Sequence, residues 1–359
     1  MFVPVTSPHG SGEYARSLAI AGAVARRWPD AALHFLVSRH APYATKLAYP
    51  VTRLPASPTL HTPEVRTAIE AFVPTLVIFD NAGRTAQLRA ARASGARVVF
   101  VSSRRRQRHR AFRLQWMRLL DEHWFAWPRL MAGPLSLSER TKHWWLQQPR
   151  LRHLDTVLPE PAAAQGAELL AAHGLEAGDF VLVVPGGGSG HPRFAHGPAE
   201  VGRAAARIAA AGLPTLLLGV PAAAGEHDPP ALHRLPRLDT PTLMHLLRTA
   251  RLVVCNGGDT LLQATALGRP CVATALVPDQ RLRLRRLEQA GLAAGVPLAA
   301  DAIATRALAL LDDDAARDAL AAAGAALRID NAMPEVLAAI AGLHEADALS
   351  RPLAGGVAS

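Results

Sequence analysis

Residues 255–280 read CNGGDTLLQATALGRPCVATALVPDQ. An apolar run of strand type, 251–254, leads into Asn256-Gly257-Gly258-Asp259-Thr260, and a helical pattern follows over 260–267. Glycines let a backbone come close to an anion. The start of a helix adds unpaired N–H groups and a partial positive charge. Thr260 can cap that helix or bind a phosphate oxygen. Gly268-Arg269-Pro270 then turns the chain into a second apolar run, 270–273, and Asp279-Gln280 lies beyond it before another helix. A carboxylate beside a carboxamide suits the hydroxyls of a sugar. A glycine turn that merely joins strand to helix is the plainer reading of Gly-Gly-x-Thr alone. The three parts together, at this spacing, favour an anion and sugar site.

The same alternation runs outward in both directions. Strand-like runs at 32–37, 75–79, 97–101, 180–184 and 215–218 alternate with helix patterns at 14–27, 63–72, 85–94 and 198–211. Apolar strands between helices predict an α/β protein whose parallel sheets are covered on both faces. The pattern pauses at 156–165, TVLPEPAAAQ, and restarts. At roughly 150 residues per domain, 359 residues make two domains. The expected division is 1–160, 161–333, and a closing segment 334–359 that holds one more amphipathic helix and a tail. Two Rossmann-like halves facing across a cleft bind ligands outside the carboxyl ends of their strands.

Two further glycine loops sit at such strand ends. Pro185-Gly186-Gly187-Gly188-Ser189-Gly190-His191-Pro192 follows the first strand of the second half. Gly187 and Gly188 give the loop freedom to fold over an anion, and Ser189 offers a hydroxyl. The Lys-Ser/Thr ending of a P-loop is absent. Near the start, His9-Gly10-Ser11-Gly12-Glu13 precedes a helix, and Phe79-Asp80-Asn81 ends a strand. His9 and Glu13 are candidate general bases, and Asp80 a candidate partner for His9. The plain reading of each is a turn or helix-capping role.

With these motifs in view, the chain resembles GT-B glycosyltransferases that use nucleotide sugars. It is similar to the N-acetylglucosaminyltransferase of the peptidoglycan lipid precursor, to the UDP-glycosyltransferase superfamily, and to the UDP-sugar hydrolase of pseudaminic acid synthesis. The resemblance is strongest over 180–291. It implies that Gly257, Gly258 and Thr260 hold a diphosphate, that Gly187, Gly188 and Ser189 face it, and that Asp279 and Gln280 touch the sugar. Gln263 stands at the ribose position, where the family usually has Glu; an uncharged amide holds hydroxyls more weakly. Asn256 stands where a His often precedes the glycine pair. The resemblance also implies an N-terminal acceptor domain, a nucleotide-diphosphate sugar as donor (UDP first), and neither a cofactor nor a tightly bound metal. A hydrolase or epimerase on the same fold, and a non-catalytic binding protein, are the alternatives. The acceptor is not named by the sequence.

The formal net charge is +10, which favours anionic partners, although arginine is abundant throughout. Residues 102–118, SSRRRQRHRAFRLQWMR, with Trp116, Trp124, Trp127, Trp144 and Trp145 at or after them, suit an anionic membrane surface. A solvated helix face over core aromatics explains them equally well. No nucleic-acid-binding module is present, so nucleic acid is not an expected partner. The two cysteines, Cys255 and Cys271, lie in apolar runs and read as buried thiols. With no signal-peptide pattern at the start and no run of ~18 apolar residues, the expected location is cytoplasmic, with peripheral contact at the inner face of the membrane.

Overall fold

The computed structural model describes residues 1–8, 11–45, 47–186, 196–221, 227–327 and 329–350. The chain forms two compact units, one of Met1–Val157 with Ala332–Ser359 and one of Leu158–Asn331.

In the first unit, seven strands make one sheet in the order β3-β2-β1-β4-β5-β6-β7. They are β1 (Phe2–Pro4), β2 (Phe35–Ser38), β3 (Val51–Leu54), β4 (Leu76–Asp80), β5 (Arg97–Ser102), β6 (Glu122–Phe125) and β7 (Arg150–His153). All neighbouring strands are parallel. Successive side chains point to opposite faces of a strand. Accordingly Phe2, Phe35, Ile78, Val99 and Trp124 join one apolar core, and Val3, Leu36, Val77, Phe79 and Phe100 join another on the opposite face. The helix Met333–Ser350, read from the sequence as a piece apart, is part of this unit. Its Val336, Ala339 and Ile340 share the core of Ile20 and Val24 from the helix Gly12–Arg27.

The second unit repeats the plan with six parallel strands ordered β10-β9-β8-β11-β12-β13. They are β8 (Val181–Val184), β9 (Thr215–Leu218), β10 (Leu232–Leu235), β11 (Leu252–Asn256), β12 (Cys271–Thr274) and β13 (Ala294–Val296). Cys255 and Cys271 are buried free thiols. A hydrogen bond with Cys271, then burial, pushes the Cys255 thiol well up, so it stays protonated.

The predicted elements are present with shifted ends. The strand expected at 32–37 begins at Phe35, the residue that pairs with Phe2. The strand expected at 251–254 runs on to Asn256, which pairs with Thr274. In both sheets the strand order reverses beside the first strand, at β1/β4 and at β8/β11. Open parallel sheets bind ligands outside the carboxyl ends at such switch points. Those ends are Pro4 with Asp80 in one unit, and Val184 with Asn256 in the other. Among the described residues, no helix is long and apolar enough to cross a membrane.

Candidate donor and acceptor sites

At the β8/β11 switch point one side chain joins both loops. The Asn256 Nδ2 group donates to the Pro185 carbonyl at 2.8 Å, and its Oδ1 accepts the Gly258 N–H at 2.8 Å. The fit leaves no space for side chains. A Cβ on Gly186, whose φ is +116°, would stand 2.0 Å from Asn256 Nδ2, and one on Gly258 would stand 2.5 Å from Oδ1. Gly258 then heads the helix Asp259–Ala266, and no side chain caps it. A helix start without a capping side chain keeps N–H groups for an anion.

Thr260 and Gln263 lie half-buried on the first turn and a half of this helix. From the other side comes the helix Pro278–Gln289. A Cβ on Gly257 would be 3.2 Å from Gln280 Cβ and 3.6 Å from Leu284 Cβ, so that helix packs directly on the glycine turn. Gln280 Oε1 accepts the Leu276 N–H at 2.8 Å, which fixes its amide. Its Nε2 lies 3.6 Å from the Cβ position of Gly258. Gln280 is therefore beside the turn, with its carbonyl oxygen already engaged by the backbone. Asp279 lies at the head of the same helix, and its side chain is outside the described part. Gly187, Gly188 and Ser189 are outside the described residues as well.

At the β1/β4 switch point, Asp80 is fully buried. The Arg16 guanidinium grips its two oxygens at 2.8 and 2.6 Å, and the Ser17 hydroxyl lies 3.5 Å away. The next residue, Asn81, has a left-handed φ of 54°. Its Nδ2 donates to Glu13 Oε1 at 2.9 Å and to the Ser103 hydroxyl, and its Oδ1 accepts the Ser103 N–H at 3.0 Å. Glu13 opens the helix Gly12–Arg27, half-buried, and is aimed by Asn81. Arg110 donates to the Asn81 carbonyl at 3.0 Å and lies over the Trp116 ring. Burial, then the charges of Arg84, Arg113 and Arg106, bring its pKa down to about 10; it is still a cation at neutral pH. His9 is outside the described residues. Among the described residues, no group of three His, Cys, Asp or Glu side chains is placed to hold a metal ion.

No protein-family model matches this sequence, and no curated protein matches it. Solved structures do match it over nearly their whole length. The spinosyn forosaminyltransferase SpnP is 16% identical, with 95% of this chain and 98% of that one covered at a TM-score of 0.65. MurG of Acinetobacter baumannii is 14% identical, with 93% and 97% covered at 0.58. A putative UDP-N-acetylglucosamine 2-epimerase from Listeria monocytogenes is 15% identical, with 94% and 95% covered at 0.58. The fold is GT-B.

Within this GT-B chain, Gly257, Gly258, Thr260, Gln263 and Gln280 come together around one helix start. In the other unit Glu13 is bonded to Asn81, the neighbour of Asp80, while Asp80 itself is held by Arg16. Sequence reasoning missed Arg16 and Asn81. Each had a faint signal: an arginine among the apolar residues of the helix Gly12–Arg27, and a polar residue directly after the carboxylate that ends an apolar strand run.

The arginine run divides. Arg104, Arg105, Arg106, Arg113 and Arg118 are exposed. Arg108 is buried and bidentate on Glu139, at 3.2 and 2.6 Å. Trp116 and Trp124 are core residues, whereas Trp144 and Trp145 are 76% and 61% exposed. Exposure of the first group of arginines fits a solvated face and a membrane-facing surface alike, and two of the tryptophans belong to the core.

Proposed function

We propose that this protein is a glycosyltransferase that moves a sugar from a nucleoside diphosphate, UDP first, to an acceptor hydroxyl. The observation that carries this reading is the Asn256 clamp. It joins the turns after β8 and β11 so that Gly258 presents an uncapped helix start at the switch point. A diphosphate is the anion such a turn suits, and the Asp279-Gln280 pair beside it suits a sugar.

In the proposed reaction the acceptor oxygen bonds to the anomeric carbon as the bond from that carbon to the diphosphate oxygen breaks. The hydroxyl proton goes to a base, and the electron pair of the broken bond leaves with the diphosphate. The helix start offsets part of the charge that develops there. His9 and Glu13 are the candidate bases. Asp80 is proposed to orient His9; because Arg16 already balances its charge, its effect on an imidazole is positional. Gly187, Gly188 and Ser189 are assigned to the same diphosphate, Gln263 to the ribose, and Asp279 to the sugar.

The test is a thermal-shift screen against UDP-, dTDP- and GDP-sugars, since a ligand specific for the native state raises its stability. A shift with one nucleotude series is the expected result; none with any series would remove the donor reading. A second reading, hydrolysis or epimerisation at the same site, is favoured by the likeness to the Listeria protein described as a putative epimerase. Free sugar released without acceptor would mark hydrolysis, and an inverted sugar would mark epimerisation. Peripheral contact with anionic lipid is proposed for the exposed arginines of 104–118 together with Trp144 and Trp145.

A further inference from the structure

Arg283 is placed one turn past Gln280 on the helix Pro278–Gln289, between two residues, Gln280 and Leu284, that pack on Gly257. Its Nη1 lies 3.2 Å from Oδ1 of Asp259, the first residue of the glycine-turn helix. A carboxylate at a helix start is favourable for the helix. It also puts negative charge where a diphosphate would bind. The two partners differ in burial: the Arg283 side chain is 14% exposed and that of Asp259 is 48% exposed. An ion pair with one half-exposed partner is a weak tie. A guanidinium on a phosphate makes paired, charge-assisted hydrogen bonds, which are stronger.

We propose that Arg283 is a diphosphate-binding cation of the donor site, and that Asp259 holds it in place until the nucleotide displaces the carboxylate. This rests on the donor-site reading above. The more exposed carboxylate swings into solvent, and the more buried guanidinium stays to receive the phosphate. In the empty site the pair is neutral. In the filled site the cation faces the leaving group, where charge grows as the glycosidic bond breaks.

The exchange gives the two partners opposite signs, which a purely structural salt bridge between helices does not. Titration calorimetry with UDP, dTDP and GDP is run on the full chain, on Arg283→Gln, on Asp259→Asn and on the double variant, with thermal unfolding of each to verify folding. The expected result is a nucleotide affinity at least about tenfold lower for Arg283→Gln and several-fold higher for Asp259→Asn, with the double variant matching Arg283→Gln. Arg283→Lys keeps the charge and loses the fork, and is expected to fall between the native chain and Arg283→Gln. If the native chain binds a nucleotide while both single variants weaken it, or neither changes it, the exchange is overturned and the donor reading stands. If the native chain binds none of the three, the donor reading fails and the exchange fails with it.

Discussion

Asn256 satisfies two loops with one amide, so its removal strands both. Asn256→Ala leaves the Pro185 carbonyl and the Gly258 N–H without that partner. An unmatched buried polar group costs about 1–3 kcal/mol, and urea unfolding is expected to register a loss of that order. UDP affinity, measured by calorimetry, is expected to fall more steeply than stability does. Gly258→Ala is a companion test. Its Cβ would meet Asn256 Oδ1, so the variant is expected to lose nucleotide binding by dislodging the clamp; normal affinity in a folded Gly258→Ala would take the turn out of the site. His9→Ala and Glu13→Gln separate the two candidate bases. Losing the true base costs about 10²–10⁴-fold in rate with donor affinity nearly unchanged, and the other variant should keep near-normal turnover.

His123 gives a different kind of residue-scale test. It is fully buried, with Nε2 2.8 Å from the Ser102 hydroxyl, and burial, then the charge of Arg108 and of His153, depresses its pKa to about 3. The folded pKa is below the unfolded one, so the neutral ring's stabilisation is complete above about pH 6.5 and is lost as pH falls toward 3. Between pH ~7 and pH ~4 that amounts to on the order of 3 kcal/mol. His123→Gln is expected to lose less stability over this interval than the native chain; equal losses in urea titrations would place the acid sensitivity elsewhere. At this scale the sequence showed which residue types stand at the strand ends, such as Gly257, Gly258 and Asp80. It could not show their partners, because Asn256 bonds a carbonyl 71 positions away and Asp80 an arginine 64 positions away.

Among the elements, β8, β9, β11 and β12 were legible because each is apolar on both faces, as a central parallel strand must be. β3, β7 and β10 were not. They read VTRL, RLRH and LHRL and lie at sheet edges, where one side of the strand lacks a neighbour and charge is tolerated. β6 is internal yet reads EHWF, because the Glu122 carboxylate is matched by Arg152 on β7 and by the Trp124 indole N–H. The helices Arg105–Ala111 and Leu137–Leu146 are tied by the buried Arg108–Glu139 pair. Breaking such a pair from one side costs about 3–5 kcal/mol, so Arg108→Ala is expected to lower the first unit's stability by that order in urea unfolding. Cosedimentation with anionic vesicles is expected to weaken as salt rises, since exposed charges are screened over ~8–10 Å at physiological ionic strength. Binding that ignores both salt and lipid charge would sink the electrostatic attraction.

For the whole molecule, the first six strands of each sheet follow the same order, and the chain that builds them alternates strand and helix twice over, which is why the restart of the pattern was visible in the sequence. The pattern did not show that residues beyond 331 return to the first unit, because Val336, Ala339 and Ile340 are apolar enough to suit either core. The contiguous unit Leu158–Asn331 holds Asn256, the glycine turn and Arg283, and is expected to fold alone and to bind nucleotide by calorimetry. Removal of residues 332–350 is expected to uncover Ile20 and Val24 and to unfold the first unit selectively, seen as early loss of its amide protection in hydrogen exchange.

The return of the chain also sets an order of events during synthesis. Domains often fold from the N-terminus as they emerge, yet here the first unit lacks one wall until its last helix has been made. At roughly 5–20 residues per second, the intervening 158–331 keep it waiting for on the order of 10–35 s. The second unit is complete first. Released chains of residues 1–331 should therefore carry a protease-resistant 158–331 and a cleavable 1–157, and the open flank of the helix Gly12–Arg27 is the surface a chaperone would meet in that interval.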